Sequence, residues 1–159
     1  MKKTQRLATI LYFLILFAVP CYIIYDYHNT LSSGEIYKIE VVAYDPYDPF
    51  RGRYVAIQPA LMDLRWRPES IQLIKSEDDF VVSINKTDHA DAPGYIKKFT
   101  LERYYMNEKI APLVEERQRK ALEENDFMYV VIKVKQGRYA IEGLYINDIP
   151  AEVYVQSTL

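Results

Sequence analysis

The stretch Asp45–Ile57, which reads DPYDPFRGRYVAI, separates two β-rich segments and contains two Asp-Pro pairs, two arginines and one glycine. Proline fixes its own φ and pushes the preceding residue out of the helical region, so Asp45 and Asp48 are expected to be extended or turn-forming. Their carboxylates can accept from nearby backbone amides, and Gly52 gives the backbone freedom where the turn ends. We therefore predict a strand, a rigid double turn and a second strand that begins near Tyr54.

The two carboxylates of this stretch allow two interpretations. In the structural interpretation, Asp45 and Asp48 accept from backbone amides or pair with Arg51, whose guanidinium can hold a carboxylate through two parallel hydrogen bonds. In the chemical interpretation, they act in a carboxylate-dependent envelope hydrolase or transferase. Asp-Pro is a frequent turn signal, and no third oxygen-rich position completes a metal loop. We therefore favour a non-enzymatic protein and predict no catalytic residue, no metal ligand and no cofactor.

Three blocks, in this order along the chain, resemble the GDYXXLXY family of bacterial membrane-anchored proteins. The first block is the stretch Asp45–Ile57, in which Gly52 and Tyr54 match the family signature. The second, Leu101–Tyr105, is similar to a Glu-Arg-Tyr-Phe segment of the family, and the third, Arg138–Leu144, to its closing hairpin. The resemblance implies a one-span anchor, an extracytoplasmic domain and, by analogy, a multi-span membrane protein as partner.

The resemblance also selects a candidate binding motif from the first two blocks. Its members are Asp45, Asp48, Arg51, Gly52, Tyr54, Arg103 and Tyr104. At three positions the chain departs from the signature, because Arg53, Ile57 and Pro59 stand where the family name has Asp, Leu and Tyr. The expected function is that of an extracytoplasmic accessory or binding protein in the bacterial envelope.

The N-terminal segment has the composition of a membrane anchor. Three basic residues lie in residues 1–6, and Leu7–Tyr25 then runs without a charge for about 19 residues, roughly 28 Å as a helix. Because the basic residues precede the span, the positive-inside rule predicts a cytoplasmic tail at 1–6 and a domain outside the inner membrane. A cleaved signal peptide is the alternative, but the apolar run is long and no Ala-x-Ala site follows it.

Composition and motif content exclude several other classes. The net charge of −2 gives no bulk attraction for nucleic acid, and the single cysteine, Cys21, excludes an intramolecular disulfide. Asp88, His89 and Asp91 lie together in the polar loop 86–94 and offer metal-ligand types. A solvated turn is the commoner use of such a loop, so we predict no metal site there.

Hydrophobic periodicity predicts the remaining elements. After a polar spacer at 26–34, strands are expected at Glu35–Tyr44, at Asp79–Asn85 with Phe80, Val82 and Ile84 on one face, and at Tyr95–Tyr105. A helix is expected from Asn107 to Asn125, and a hairpin turns at Gln136-Gly137. Residues 35–159 are therefore predicted to form a mainly β α+β domain, a small curved sheet or open barrel with one helix, after one N-terminal transmembrane helix.

Overall fold

The described part of the computed structural model comprises residues 3–43, 54–62, 69–107, 110, 113–114 and 127–157. In these residues α1 (Lys3–Ser33) precedes the strands and α2 (Ala151–Ser157) follows them. The strands are β1 (Glu35–Ala43), β2 (Tyr54–Pro59), β3 (Ile71–Lys75), β4 (Val81–Lys86), β5 (Tyr95–Ile96), β6 (Arg103–Tyr105), β7 (Met128–Lys135), β8 (Arg138–Ile146) and β9 (Ile149–Pro150). The predicted mainly β α+β class after an N-terminal helix is confirmed, and the sheets formed by the described residues are open and do not close into a barrel.

Helix α1 extends beyond the apolar run from which it was predicted. Its segment Thr9–Ser33 is 25 residues long and apolar enough to cross a membrane, and the residues from Thr9 to Tyr25 are exposed. Pro20 lies inside the helix, a position that membrane-spanning helices tolerate. Where the sequence suggests a polar spacer at 26–34, the structure instead continues the helix to Ser33. Helix α1 therefore runs into the β domain, with Gly34 between α1 and β1.

The larger sheet has six strands in the order β6-β2-β1-β7-β8-β9, and every adjacent pair is antiparallel. Strand β1 confirms the predicted alternation, because Tyr37, Ile39 and Val41 are all buried. It pairs with β7 along residues 35–40 and with β2 along residues 41–43. Strand β7 is buried on both faces from Met128 to Ile132, as expected for a central strand with side chains packed on each side of the sheet.

The smaller sheet has the order β4-β3-β5 and is joined to the larger one by two isolated parallel bridges. One bridge pairs Lys38 with Phe80 and the other pairs Ile96 with Gly137. Three side chains of this sheet, Ile71, Leu73 and Ile96, are almost fully buried and belong to the same core as the larger sheet. Both sheets thus share one hydrophobic core.

Two strand predictions are wrong in detail. The single strand expected at 95–105 is instead β5 and β6, which lie in different sheets. The predicted face of β4 is also incorrect, because Val81 is buried whereas Val82 is 57% exposed. The register of the β3–β4 pair shifts between Ile74 and Lys75, and such an irregularity exchanges the faces of the residues beyond it.

The C-terminal hairpin is confirmed. Gln136 and Gly137 both have positive φ, 49° and 76°, as required in the two-residue turn whose twist matches the flanking strands. A second turn of the same kind, at Asn147 and Asp148, leads into β9. Of the helix expected at 107–125, the structure describes a few residues; Leu113 and Val114 are helical and Val114 is fully buried. The rest of that predicted helix lies mainly outside the described residues.

Candidate functional site

The predicted binding motif is only partly within the described chain. Asp45, Asp48, Arg51 and Gly52 lie outside the described residues, and the prediction of a rigid double turn falls there with them. Tyr54 is the first residue of β2, and Arg103 and Tyr104 belong to β6. These two strands are neighbours: Tyr54 pairs with Tyr105, Val55 with Tyr104 and Ala56 with Arg103. The structure therefore places the described end of the first sequence block, Tyr54–Ile57, beside the second block.

Tyr104 connects the second block with the third. Its side chain is half-buried, and its hydroxyl is hydrogen-bonded by the Leu144 backbone in β8. Burial raises the pKa of Tyr104, the charge of Glu152 raises it further, and the hydrogen bond at Leu144 acts in the opposite direction. The phenol is therefore neutral at physiological pH and serves as a contact between β6 and β8.

A second tyrosine makes a similar connection at the base of β8. The Tyr139 hydroxyl donates to the carbonyl oxygen of Thr100 at 2.7 Å and accepts from its amide at 3.3 Å. The ring of Tyr139 lies 5.4 Å from that of Phe99. Burial raises the pKa of Tyr139, which keeps the hydroxyl protonated for this contact. The segment that leads into β6 is thus fixed to the third block.

The last turns of α1 are bound to the β7–β8 hairpin. Lys135 donates to the Asn29 side-chain oxygen at 2.9 Å and to the Ser33 hydroxyl at 2.6 Å. The Tyr27 hydroxyl donates to the Ile141 carbonyl oxygen at 3.1 Å, and Thr30 is buried. The helix consequently enters the domain as a packed element, and its final turns cannot swing freely.

Arg138, at the start of β8, makes the contact nearest to the apolar part of α1. Its guanidinium forms an ion pair with Asp26 and a hydrogen bond with Tyr22. The hydrogen bond to Tyr22 and the charge of Asp26 together raise the pKa of Arg138. This positive charge is thereby held beside the end of the uncharged run Leu7–Tyr25.

A lysine cluster that the sequence did not reveal fastens the smaller sheet to the start of β1. Lys75 donates to the Ile36 carbonyl oxygen at 3.0 Å and forms ion pairs with Glu35 at 3.0 Å and with Asp79 at 2.6 Å. The ammonium also lies 4.8 Å from the ring centre of Tyr37. Burial lowers the pKa of Lys75, but the hydrogen bonds and charges of Asp79 and Glu35 outweigh it and raise the net value. The spacing of Lys75 and Asp79 across a turn is the one signal in the sequence that could have indicated this cluster.

Tyr37 completes the lysine cluster from the core side. Its hydroxyl donates to the second Glu35 carboxylate oxygen at 3.0 Å. Burial raises the pKa of Tyr37, and the hydrogen bond and charge of Glu35 raise it further. All three protons of the Lys75 ammonium have acceptors within the cluster, so its arrangement suits a structural clamp.

The described residues offer little for metal chemistry. Asp88, His89 and Asp91 are all exposed in the loop after β4. Throughout the described ranges, no three His, Cys, Asp or Glu side chains come together in a group that could hold a metal ion. What the described side chains do form is a set of contacts that fix sequence-distant segments to one another.

The fold and these contacts define a class: a β-rich domain fixed to the end of one long apolar helix. The chain belongs to the family described as GDYXXLXY protein, whose model matches residues 16–144. That match includes the second half of α1 and all three sequence blocks. No curated protein and no solved structure matches the chain.

Proposed function

We propose that this protein is a membrane-anchored accessory protein whose domain lies outside the bacterial inner membrane and works with a multi-span membrane protein. The observation that carries the proposal is the continuity of α1 with the domain. A helix of 31 residues runs through an exposed apolar segment into a hairpin that binds its last turns. A domain fixed in this way stays at a set height above the bilayer, which suits a protein that must meet a membrane partner.

The proposed orientation rests on charge at the start of the chain. Lys2, Lys3 and Arg6 precede the apolar run, whereas Asp26 follows it. Basic residues are retained on the cytoplasmic side, so the domain is translocated. A chain in which Cys21 is changed to Ser and Ile149, which is 40% exposed, is changed to Cys tests this orientation. A membrane-impermeant maleimide is expected to label intact spheroplasts, and labelling that requires lysis would contradict the proposal.

We propose that the partner's membrane helices pack against the apolar surface of α1. Phe13 and Phe17 are 51% and 65% exposed in the described structure. Because aliphatic and aromatic groups cover the helix all round, every face suits contact with lipid or with another membrane helix. The family resemblance gives the same expectation of a multi-span companion.

Photo-crosslinking tests this proposal in living cells. A photoreactive residue is placed at Phe13 or Phe17, and the matched control places it at Val82, which is 57% exposed on the domain. The proposal expects the helix positions to yield a crosslinked protein that mass spectrometry identifies as having several membrane spans. If the helix positions yield only lipid adducts or a second copy of this chain, the accessory role with a multi-span partner is contradicted.

A further inference from the structure

A positive charge lies where the apolar part of α1 ends. The guanidinium of Arg138 contacts Tyr22 and Asp26. The uncharged run ends at Tyr25, so Tyr22 lies three residues before its end and Asp26 directly after it. One helical turn rises about 5.4 Å, so this guanidinium lies within about one turn of the expected edge of the hydrocarbon region. The start of β8 therefore lies at the depth of the lipid headgroups if the helix spans a membrane.

Three lysines lie close to the same end of the hairpin. The backbone amide of Lys97 donates to the Gly137 carbonyl oxygen at 2.9 Å, which brings Lys97 and Lys98 beside the turn. Both lysine side chains are exposed. Lys135, two residues before the turn's glycine, donates to Asn29 and Ser33, neither of which carries a charge. These three lysines form what we call the basic end of the hairpin, and the Arg138–Asp26 ion pair beside them marks its depth.

The acidic side chains recorded near the basic end do not neutralise these lysines. Asp26 is paired with Arg138, and Glu142 is paired with Lys133 at 3.6 Å. The negative charge of Glu102 lies near Tyr139 and raises the pKa of its phenol. Among the described residues, no ion pair to Lys97, Lys98 or Lys135 is formed at this end. The basic end therefore keeps a positive charge available to an outside anion.

We infer that the basic end, formed by Lys97, Lys98 and Lys135, binds the headgroup phosphates of anionic phospholipids in the leaflet below the domain. This inference rests on the proposed membrane anchoring, because the anchor is what brings these side chains to headgroup depth. Lysine and arginine side chains bind phosphate through charge-assisted hydrogen bonds. An anionic leaflet attracts such groups within a Debye length of its surface, about 8 Å at physiological ionic strength. Contacts of this kind hold the domain upright and close to the bilayer.

Fluorescence quenching in nanodiscs measures this contact. The full chain with Cys21→Ser carries a fluorescent label at Thr100→Cys, an exposed position two residues after Lys98. The nanodiscs contain phosphatidylcholine and phosphatidylglycerol, and either the zwitterionic or the anionic lipid bears a nitroxide quencher close to its headgroup. A second labelled chain with Ile149→Cys reports from the other end of β8, roughly 26 Å from its start.

The anionic lipid is expected to quench the label at Thr100→Cys more strongly than the zwitterionic lipid does. The expected enrichment of anionic over zwitterionic lipid near this label is about fivefold, the effect of one lysine held near an anionic surface. Lys97→Gln with Lys98→Gln should remove most of this preference, and high salt should weaken it. The control is Lys38→Gln, which removes one charge and is compared with the single variants Lys97→Gln and Lys98→Gln, because Lys38 lies over the Phe80 ring and away from the basic end. The label at Ile149 should be quenched little by either lipid.

Two outcomes would overturn the inference. Equal quenching by the two lipids in a chain that is retained in nanodiscs would show that the basic end does not select anionic headgroups. Equal loss of preference in the Lys38→Gln control would show that total charge, rather than the basic end, attracts the lipid. Failure of the chain to enter nanodiscs at all would instead contradict the proposed anchoring, and the inference with it.

Discussion

The Tyr139 hydroxyl is hydrogen-bonded to both backbone groups of Thr100, donating to the carbonyl at 2.7 Å and accepting from the amide at 3.3 Å. The two residues are 39 positions apart in the chain, so this pair fixes the segment before β6 to the base of β8. A phenol in this position can neither rotate away nor ionise without releasing the segment.

Removal of the Tyr139 hydroxyl should therefore destabilise the protein. Tyr139→Phe retains the ring beside Phe99 but leaves two backbone groups without this partner, and we expect a loss of about 1–2 kcal/mol in the free energy of unfolding. Urea unfolding of the detergent-solubilised chain measures it. The matched control is Tyr145→Phe, which keeps the ring stacked on Tyr129 and should cost less than about 0.5 kcal/mol. Equal losses in the two variants would disprove the role of the Tyr139 hydroxyl.

The lysine cluster should be a stabilising clamp. Lys75→Met keeps much of the side-chain volume but leaves Glu35 and Asp79 without their shared cation. The two carboxylates are partly exposed, so solvent screening limits the expected loss to about 1–2 kcal/mol. The same unfolding measurement applies, with the exposed Lys86→Met at the end of β4 as control. A Lys75 variant as stable as the Lys86 variant would contradict the assignment.

The contact between Tyr129 and Asp148 predicts a loss of stability at alkaline pH. The Tyr129 hydroxyl donates to an Asp148 carboxylate oxygen at 2.7 Å, and burial, together with this carboxylate, raises the pKa of Tyr129 to about 12. Since an unfolded tyrosine titrates near 10, the folded chain holds the proton more tightly. The extra stability is therefore complete below about pH 10 and is lost as pH rises toward about 12.

Measurement of the free energy of unfolding between pH 9 and about 12 tests whether stability falls as the pH rises. Tyr129→Phe should decline less steeply than the native chain over this window, by about 1–2 kcal/mol at its upper end. Asp148→Asn keeps an acceptor but removes the charge, so its decline should be intermediate. If the free energy of unfolding falls with pH equally steeply in the native chain and in Tyr129→Phe, a raised pKa at Tyr129 is ruled out.

Local sequence patterns were sufficient for some elements and insufficient for others. The alternation of apolar and polar residues predicts β1, and the dipeptide Gln136-Gly137 predicts the hairpin turn. Both signals depend on neighbouring residues alone. The separation of β5 from β6 could not be seen, because a period of two does not tell which sheet a strand joins. The face of β4 was missed because the register shift after Ile74 depends on its partner strand.

The candidate site shows the same limit. The three family-like blocks were found in order, but their contacts could not be inferred from spacing. Tyr104 is hydrogen-bonded to Leu144 and Tyr139 to Thr100, and the two partners in each pair are about 40 residues apart in the chain. The sequence places the polar residues Asn29 and Ser33 in a polar spacer, because their partner, Lys135, is about 100 positions away and cannot be recognised from local pattern. Asp45, Asp48, Arg51 and Gly52 keep their sequence-based prediction, since they lie outside the described residues.

The central claim is that α1 and the β-rich domain are one structural unit, with the last turns of α1 bound to the β7–β8 hairpin. Hydrogen exchange of the backbone amides of residues 26–33, measured on the full chain in nanodiscs, tests it most directly. These residues lie beyond the predicted span, so lipid alone does not protect them. We predict exchange as slow as that of β7, because opening requires loss of the Lys135 and Tyr27 contacts. Exchange at the rate of an unstructured chain would contradict the claim and favour the polar spacer predicted at 26–34.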